Sequence, residues 1–171
     1  MALVHYDPRP TEMETAGNTA LWLLPTVADA TLATVTTAEI GGGQAFECAT
    51  DSFGLKPSVK ARTSQNLCDK DVRTKPGPTS WSIDSLTVDI GAPQAENLFL
   101  EGLVEGETRY IVQRDGLPHL DGPAAVQKVM LAEVSLSKVY RAPLKGSTDG
   151  ATDKWMIDLT VVKVNQFGVI S

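Results

Sequence analysis

Cysteine and histidine are scarce: Cys48 and Cys68, His5 and His119, in 171 residues. Two cysteines in a chain of cytosolic character are more often free thiols than a disulfide, and they complete a zinc site only with remote histidines or carboxylates. Aromatic residues make up 6% of the chain, few for a protein that would stack bases on its rings. No apolar run approaches the roughly 20 residues that span a bilayer. The first residues show no basic region followed by an apolar stretch, so neither membrane insertion nor export by the usual signal is expected. A formal net charge of −6 disfavours direct attraction to phosphate.

Catalytic constellations are missing as well. His5 lies in an aperiodic N-terminal stretch and His119 in a turn, where surface placement is the default. Asp115, His119 and Asp121 have no recognised ligand spacing, and acids beside glycines favour turns for conformational reasons alone. In Gly146-Ser-Thr-Asp-Gly150 the serine directly follows the first glycine, so the segment is a hairpin tip and not a nucleophile elbow. Gly41-Gly-Gly43 lacks the lysine and hydroxyl of a phosphate loop. With no nucleophile, base and orienting acid to assemble, the chain is expected to be neither an enzyme nor a cofactor or metal protein.

What is present is a run of short strand patterns. The length suits one well-buried core, and the apolar and charged fractions, 42% and 21%, are those of a globular domain. Residues 1–17, with Pro8, Pro10 and Gly17, read as an extended arm before a single domain over 18–171. Residues 18–27 form a short buried strand ended by Pro25. Residues 28–40 are a loop with a helical turn near 36–40, and a strand covers 44–50. Strands follow over 126–140, where Met130, Ala132, Val134, Leu136 and also Val126 share a parity, and over 154–165, where Trp155, Ile157, Leu159 and Val161 alternate with Met156, Asp158, Thr160 and Val162. Residues 142–153 connect them.

Residues 80–114 read as strand, helix, strand. Trp81 and Ile83 differ in parity from Leu86, Val88 and Ile90, so keeping all five buried requires one extra residue, a β-bulge near Asp84 and Ser85. The opposite face carries Ser82, Asp84, Thr87 and Asp89. Pro93 suits a first helical position, Ala95, Leu98, Phe99 and Leu103 follow helical spacing, and Gly106 is placed to end the helix in the left-handed conformation. In the last strand Tyr110 and Val112 face one way, Arg109, Ile111 and Gln113 the other. The pattern predicts a mainly β fold of two packed antiparallel sheets, a β-sandwich or barrel, with one flanking α-helix.

Charge is unevenly spread: −5 over 1–49, +3 over 50–79, −5 over 80–115 and +1 over 116–171. The basic excursion coincides with a long stretch, 50–79, of little clean alternation. A loop of that length is functional, ordered by a neighbour, or partly a hairpin. A basic segment on an acidic body suits self-association through complementary surfaces.

The segment Gly17-Asn-Thr-Ala-Leu-Trp-Leu-Leu-Pro-Thr-Val-Ala-Asp29, followed by Thr34-Val-Thr-Thr-Ala-Glu-Ile40, resembles the opening of tail tube proteins from long-tailed, siphovirus-type phages of actinobacterial hosts. There, a Trp- or Tyr-containing strand ending in Pro-Thr precedes a Thr-x-x-Glu-Ile/Leu turn. Ile90-Gly-Ala-Pro-Gln-Ala-Glu-Asn-Leu-Phe-Leu100, with Glu105-Gly-Glu-Thr-Arg-Tyr-Ile-Val-Gln-Arg114, is similar to the strand-helix-strand of the same superfamily, which includes contractile-tail and type VI secretion tubes. The resemblance covers 17–49 and 80–171. It departs at Ala30-Thr-Leu32, where a Pro-containing linker is more usual, and it does not extend to 50–79.

The resemblance implies a virion protein, assembled in the host cytoplasm, whose hexameric rings stack into a tail tube around a tape-measure protein and meet tail-end proteins. DNA would pass through the lumen without specific binding. On that reading Asp84 and Asp89 are candidates to face the lumen. Phe53, Leu55, Lys56, Val59, Lys60, Arg62 and Leu67 are candidates for ring stacking, with no cofactor and no membrane partner. The alternative is another β-sandwich virion module, such as a head decoration or adaptor protein.

Overall fold

A computed structural model describes residues 17–46, 50, 53–64, 73–89, 102–141 and 154–171, and only the backbone at 62–64, 73–76 and 89. Residues 1–16 of the arm, the expected helix up to residue 101, Cys48, Leu67, Cys68 and the connection 142–153 lie outside the described residues. The described elements are β1 (Thr19–Leu24), β2 (Thr34–Val35), α1 (Thr37–Gly41), β3 (Gln44–Ala45), β4 (Leu55–Ser64), β5 (Arg73–Ile83), β6 (Leu86–Asp89), β7 (Thr108–Asp115), β8 (Lys128–Arg141) and β9 (Lys154–Ile170). The main sheet runs β2-β9-β8-β7-β1-β3, with β6 also paired to β9, while β4 and β5 form a second, two-stranded sheet. All pairings are antiparallel except the short parallel contact of β2 with the end of β9. The fold is mainly β, as the strand patterns predict.

Strand β1 dictates the layering. Its run Ala20-Leu-Trp-Leu-Leu24 is buried on both faces, so each face of the main sheet needs a cover. Leu21 and Leu23 enter a first core with Ile111 of β7, Val134 of β8, Ile157 of β9 and Leu86 of β6. That core joins a strand near one edge of the sheet to one beyond the other, so the sheet curls around it. Trp22 and Leu24 enter a second core with Val112, Leu131 and Ile170. Burying each such Leu or Ile contributes roughly 1.5–3 kcal/mol, which makes a wet face costly on either side.

The cover of the second core is the segment 25–43, which supplies Val27, Leu32, Val35 and Ile40. It has little ladder pairing of its own, and two carboxylates take its place. Asp29 accepts hydrogen bonds from Thr31 N and Oγ1 at 2.8 and 2.6 Å, and from Ala33 N, Thr34 N and Thr34 Oγ1 at 2.9–3.1 Å. The turn it closes holds Leu32 at φ +59° with its side chain fully buried, a conformation costing on the order of 1–3 kcal/mol that the surroundings must enforce. Thr36 then caps α1 in a capping box: Thr36 Oγ1 accepts from Glu39 N at 3.1 Å, and Glu39 Oε2 accepts from Thr36 N at 2.7 Å. The other Glu39 oxygen accepts from Ala28 N at 2.6 Å, tying the helix back to the chain that leaves β1. Thr36–Ile40 is where the sequence places a helical turn.

Elsewhere the structure realises the sequence pattern differently. The parity change at Asp84 and Ser85 is a break between strands and not a bulge: β5 ends at Ile83 paired to β4, and β6 starts at Leu86 paired to β9. Handing the chain from one sheet to the other resets the alternation without an inserted residue. Register shifts occur instead between Val59 and Ala61 and at three places along β8 and β9. Of the readings of 50–79, the hairpin is the one present, formed by β4 and most of β5. Val126 lies before β8 at φ +63° and is exposed, because strand pairing begins only at Lys128. Leu103 is buried in the first core without helical backbone, and Gly106 takes the expected positive φ, +87°, with its N–H donating to Leu136 O at 2.7 Å.

Two tests follow from the cover segment. A Cβ on Gly43 would lie 2.9 Å from the Leu23 carbonyl oxygen and 2.2 Å from Leu24 Cδ2, whereas one on Gly41 would meet nothing within 4 Å. G43A should therefore cost about 1–3 kcal/mol in urea denaturation and G41A almost nothing; equal effects would contradict this packing. Hydrogen bonds, first from the Thr31 side chain and then from Thr31 N and Thr34, hold the Asp29 carboxyl well below its ordinary 3.8. Burial pushes Glu39 upward, but donation from Thr36 and Ala28 outweighs it and leaves the group below its ordinary 4.5. Both groups titrate lower when folded than when unfolded, so their contribution is complete above those ordinary values and is lost as pH falls through the folded ones. Amide exchange at Thr31, Ala33, Thr34 and Thr36, corrected for intrinsic rate, should accelerate below about pH 4 before that of β8. D29N should show the accelerated rates at Thr31, Ala33 and Thr34 already at pH 7.

Candidate assembly surfaces

The second sheet leaves the body as an arm. It runs from the root pair Leu55 and Ile83 to Ser64 and Arg73, and at ~3.3 Å per residue its strands are each about 33 Å long. Among the described residues the arm is anchored in apolar material at its root, where Phe53, Leu55 and Ile83 pack against the first core. Phe53 also meets Phe46 edge to face, with centroids 6.4 Å apart. Residues 56–61 and 78–80 are exposed, Val59 by 53%.

The sequence-predicted site residues fall into different settings on this arm. Phe53 and Leu55 are half-buried internal anchors. Lys56 forms an ion pair with Asp84, so one stacking candidate and one lumen candidate meet at the root. Val59 and Lys60 lie outward at the register shift. Arg62 is in β4 opposite Lys75, Asp89 closes β6 opposite Lys154, and Leu67 is outside the described residues. Ser85, next to Asp84, donates to Asp158 of β9 at 2.6 Å. Nothing in the alternation of 80–90 marks Ser85 and Asp158 as partners, since they are 73 residues apart.

Strand β9 presents a second surface. One edge pairs with β8, and the other is covered by β6 at Lys154 to Ile157 and by β2 at Val169 and Ile170. Between them no described strand pairs with that edge, although Lys163 Nζ and Asn165 Nδ2 reach the carbonyls of Ala30 and Leu32 at 2.6 and 2.9 Å. Open main-chain edges of this kind are templates for another strand.

A third surface is the loop 116–127 between β7 and β8, organised by Arg114. This side chain is 1% exposed and lies over the Trp22 ring at 5.4 Å. One guanidinium nitrogen donates to Pro118 O and Asp121 O at 2.8 and 2.7 Å, the other to Gly122 O and Gln127 Oε1 at 3.1 and 3.2 Å, while Nε has no partner. Its acceptors are thus main-chain carbonyls and an amide. The loop presents Leu120 and Val126, each 85% exposed, and Phe167 of β9 is 82% exposed. Sequence parity held the clue to Arg114, which shares a face with Val112 and Tyr110; the loop that receives it has no periodicity to read.

Replacing Arg114 by Met keeps the apolar stem and deletes the donors. R114M should lower stability by about 1–3 kcal/mol through the carbonyls it leaves unsatisfied, and should speed amide exchange within 116–127. A change under about 0.5 kcal/mol, the usual size for a surface substitution, would mean that water serves those carbonyls equally well.

Among the described residues no helix is long and apolar enough to cross a membrane, and no group of three or more His, Cys, Asp or Glu is placed to hold a metal ion. No curated protein matches the sequence. One similar solved structure is a chain of the anti-feeding prophage baseplate, a six-fold symmetrised cryo-EM structure. It superimposes with a TM-score of 0.55 over 96% of this chain and 98% of that one, at 9% identity, and so speaks for the fold. The profile of a family described as phage tail tube protein matches residues 8–166. That match spans nearly the whole mainly β domain together with its arm, and the chain belongs to the phage tail tube protein family, a family of structural proteins of the virion tail and not of enzymes.

Proposed function

We propose that six copies of this chain close into a ring, that rings stack into the tail tube around a tape-measure protein, and that DNA leaves through the bore. The observation that carries this reading is the arm: a two-stranded ribbon whose residues 56–61 and 78–80 are exposed. Such a ribbon is marginal in water by itself, and a neighbouring ring would supply the missing contacts. The six-fold symmetry of the baseplate whose chain shares this fold supports the ring number. The open edge of β9 supports lateral closure, with strands of adjacent copies pairing edge to edge. Six copies at −6 each give a ring of −36, and an acidic bore repels phosphate and lets DNA slide. Asp84 and Asp89 are lumen candidates within this reading. The charge of Asp84 is offset by Lys56, so much of the repulsion falls to other acids. Tail-end proteins terminate the tube, and assembly takes place in the host cytoplasm before the tail joins the virion.

Pro57 and Trp81 are paired across the arm, so residues 58–80 can be replaced by an Asn-Gly turn that keeps the anchored root. The shortened protein should fold with unchanged thermal stability and fail to form long tubes in negative-stain images. Undiminished long tubes would sink the stacking role. K60E, on the exposed outer face, should slow polymerisation at low salt and matter less at high salt, where surface charges are screened; an equal effect at both would remove the electrostatic part.

A further inference from the structure

We propose that the loop 116–127 is the surface on a second copy of this chain that receives the basic arm, with Leu120 and Val126 as its apolar contacts. It rests on the stacking role proposed for the arm and names the face that the arm meets in the next ring.

The loop places an unfavourable residue where its own fold gains little from it. Val126 N donates to Ile170 O at 2.7 Å and Ile170 N donates to Gln127 O at 2.9 Å, a pairing made with Val126 at φ +63°. A β-branched side chain is a poor choice there, since glycine or asparagine takes positive φ far more readily. The Val126 side chain is almost fully exposed, so burial within the chain does not offset the strain. Leu120, equally exposed, stands on the same loop. Arg114 gathers the Pro118, Asp121 and Gly122 carbonyls and the Gln127 amide on one guanidinium. His119 N donates to Gly17 O and Gly116 N to Asn18 O, both at 2.9 Å, which ties the loop to the start of β1 as well. Two exposed apolar side chains on a loop held in this way form a contact that needs little further ordering when a partner arrives.

Charge and position point to the arm of another copy as the occupant. Residues 115–127 contain Asp115 and Asp121, both exposed, and no lysine or arginine; Arg114 is buried beneath them and Lys128 is the next exposed base. Asp115 accepts from Thr19 Oγ1 and Gln113 Nε2, neutral donors that leave its charge in place. The arm brings the opposite sign, +3 over residues 50–79, and carries exposed Val59 beside exposed Lys60. Acid then meets base around an apolar centre. The arm root is level with Ile157, where Leu86 pairs with β9, and the loop is level with Val169, where Lys128 pairs with β9. Residues 157 to 169 of a strand span about 40 Å at ~3.3 Å per residue. Identical rings stack head to tail by joining two different faces of the chain, and an arm and a receiving loop at opposite ends of β9 meet that requirement.

Photo-crosslinking in the full chain tests the contact. Leu120→p-benzoylphenylalanine protein is assembled from a mixture of isotope-labelled and unlabelled chains, irradiated, and its cross-linked peptides are mapped by mass spectrometry. Links should join residue 120 of one copy to residues 55–83 of another. V126N removes the apolar contact and suits the positive φ, so it should raise Tm by about 2–4 °C and slow tube growth on the order of tenfold. A residue that served the fold alone would move both readouts in the same direction, and a fall in both overturns the proposal. Links confined to the same copy, to β9 or to residues 1–16 also overturn it and leave the tube reading standing, as does V126N growing tubes at the unaltered rate. If the unaltered chain forms no stacked rings, the tube reading fails and the receiving loop falls with it.

Discussion

A sheet that is apolar on both faces is the constraint from which the rest of this structure follows. Ala20 to Leu24 leave β1 no polar side, and β7 and β8 follow suit, sending Ile111 and Val134 one way and Val112 and Leu131 the other. Curling closes one face on itself with help from β6, Leu103 and the arm root. The other face cannot be closed by curling and is covered by a segment of chain. The body is thus three layers made from one sheet, its own far edge and a cover.

The parts with least ladder pairing are governed by single charged side chains. Asp29 gathers donors from residues 31–34, Glu39 joins Ala28 to the N-terminus of α1, and Arg114 gathers carbonyls from residues 118–122. The signs are those the backbone requires: a turn that presents N–H groups takes a carboxylate, and a loop that presents carbonyls takes a guanidinium. Each replaces a missing strand neighbour. Arg114 also stacks on Trp22, so the organiser of the loop is seated in the same core that the cover segment closes.

Strand positions were legible because period-two alternation and apolar runs report burial locally. β1, β7 and most of β8 and β9 lie where their patterns place them, and α1 falls on the helical turn expected near 36–40. The hairpin of residues 55–83 was not legible, since an arm exposed on both faces has no side to keep apolar and therefore no alternation to find. Parity did detect the discontinuity at Asp84 and Ser85. It could not distinguish an extra residue within one sheet from a transfer between two, because both invert the side-chain sequence in the same way. The partners of Arg114 were hidden for a different reason: apart from the Gln127 amide they are main-chain carbonyls, which every residue carries, so parity could place the side chain on a buried face but no charge of opposite sign pointed to the loop that receives it. The pairing of Lys56 with Asp84 was equally hidden, joining two residues that the family resemblance makes candidates for different surfaces.

That pairing changes how the charge asymmetry of the chain is understood. The basic stretch 50–79 and the acidic stretch 80–115 are successive limbs of one structure that meet at the root of the arm, where a base of one offsets an acid of the other. Positive charge nearest the body is thereby neutralised, and Lys60 is left as an exposed base farther out. A partner of opposite charge would meet that outward charge before reaching the root. An arm so built combines an apolar anchor, too costly to withdraw, with an exposed polar link that contributes about 0–1 kcal/mol. The first of those magnitudes, and not the second, holds the arm to the curled sheet that carries it.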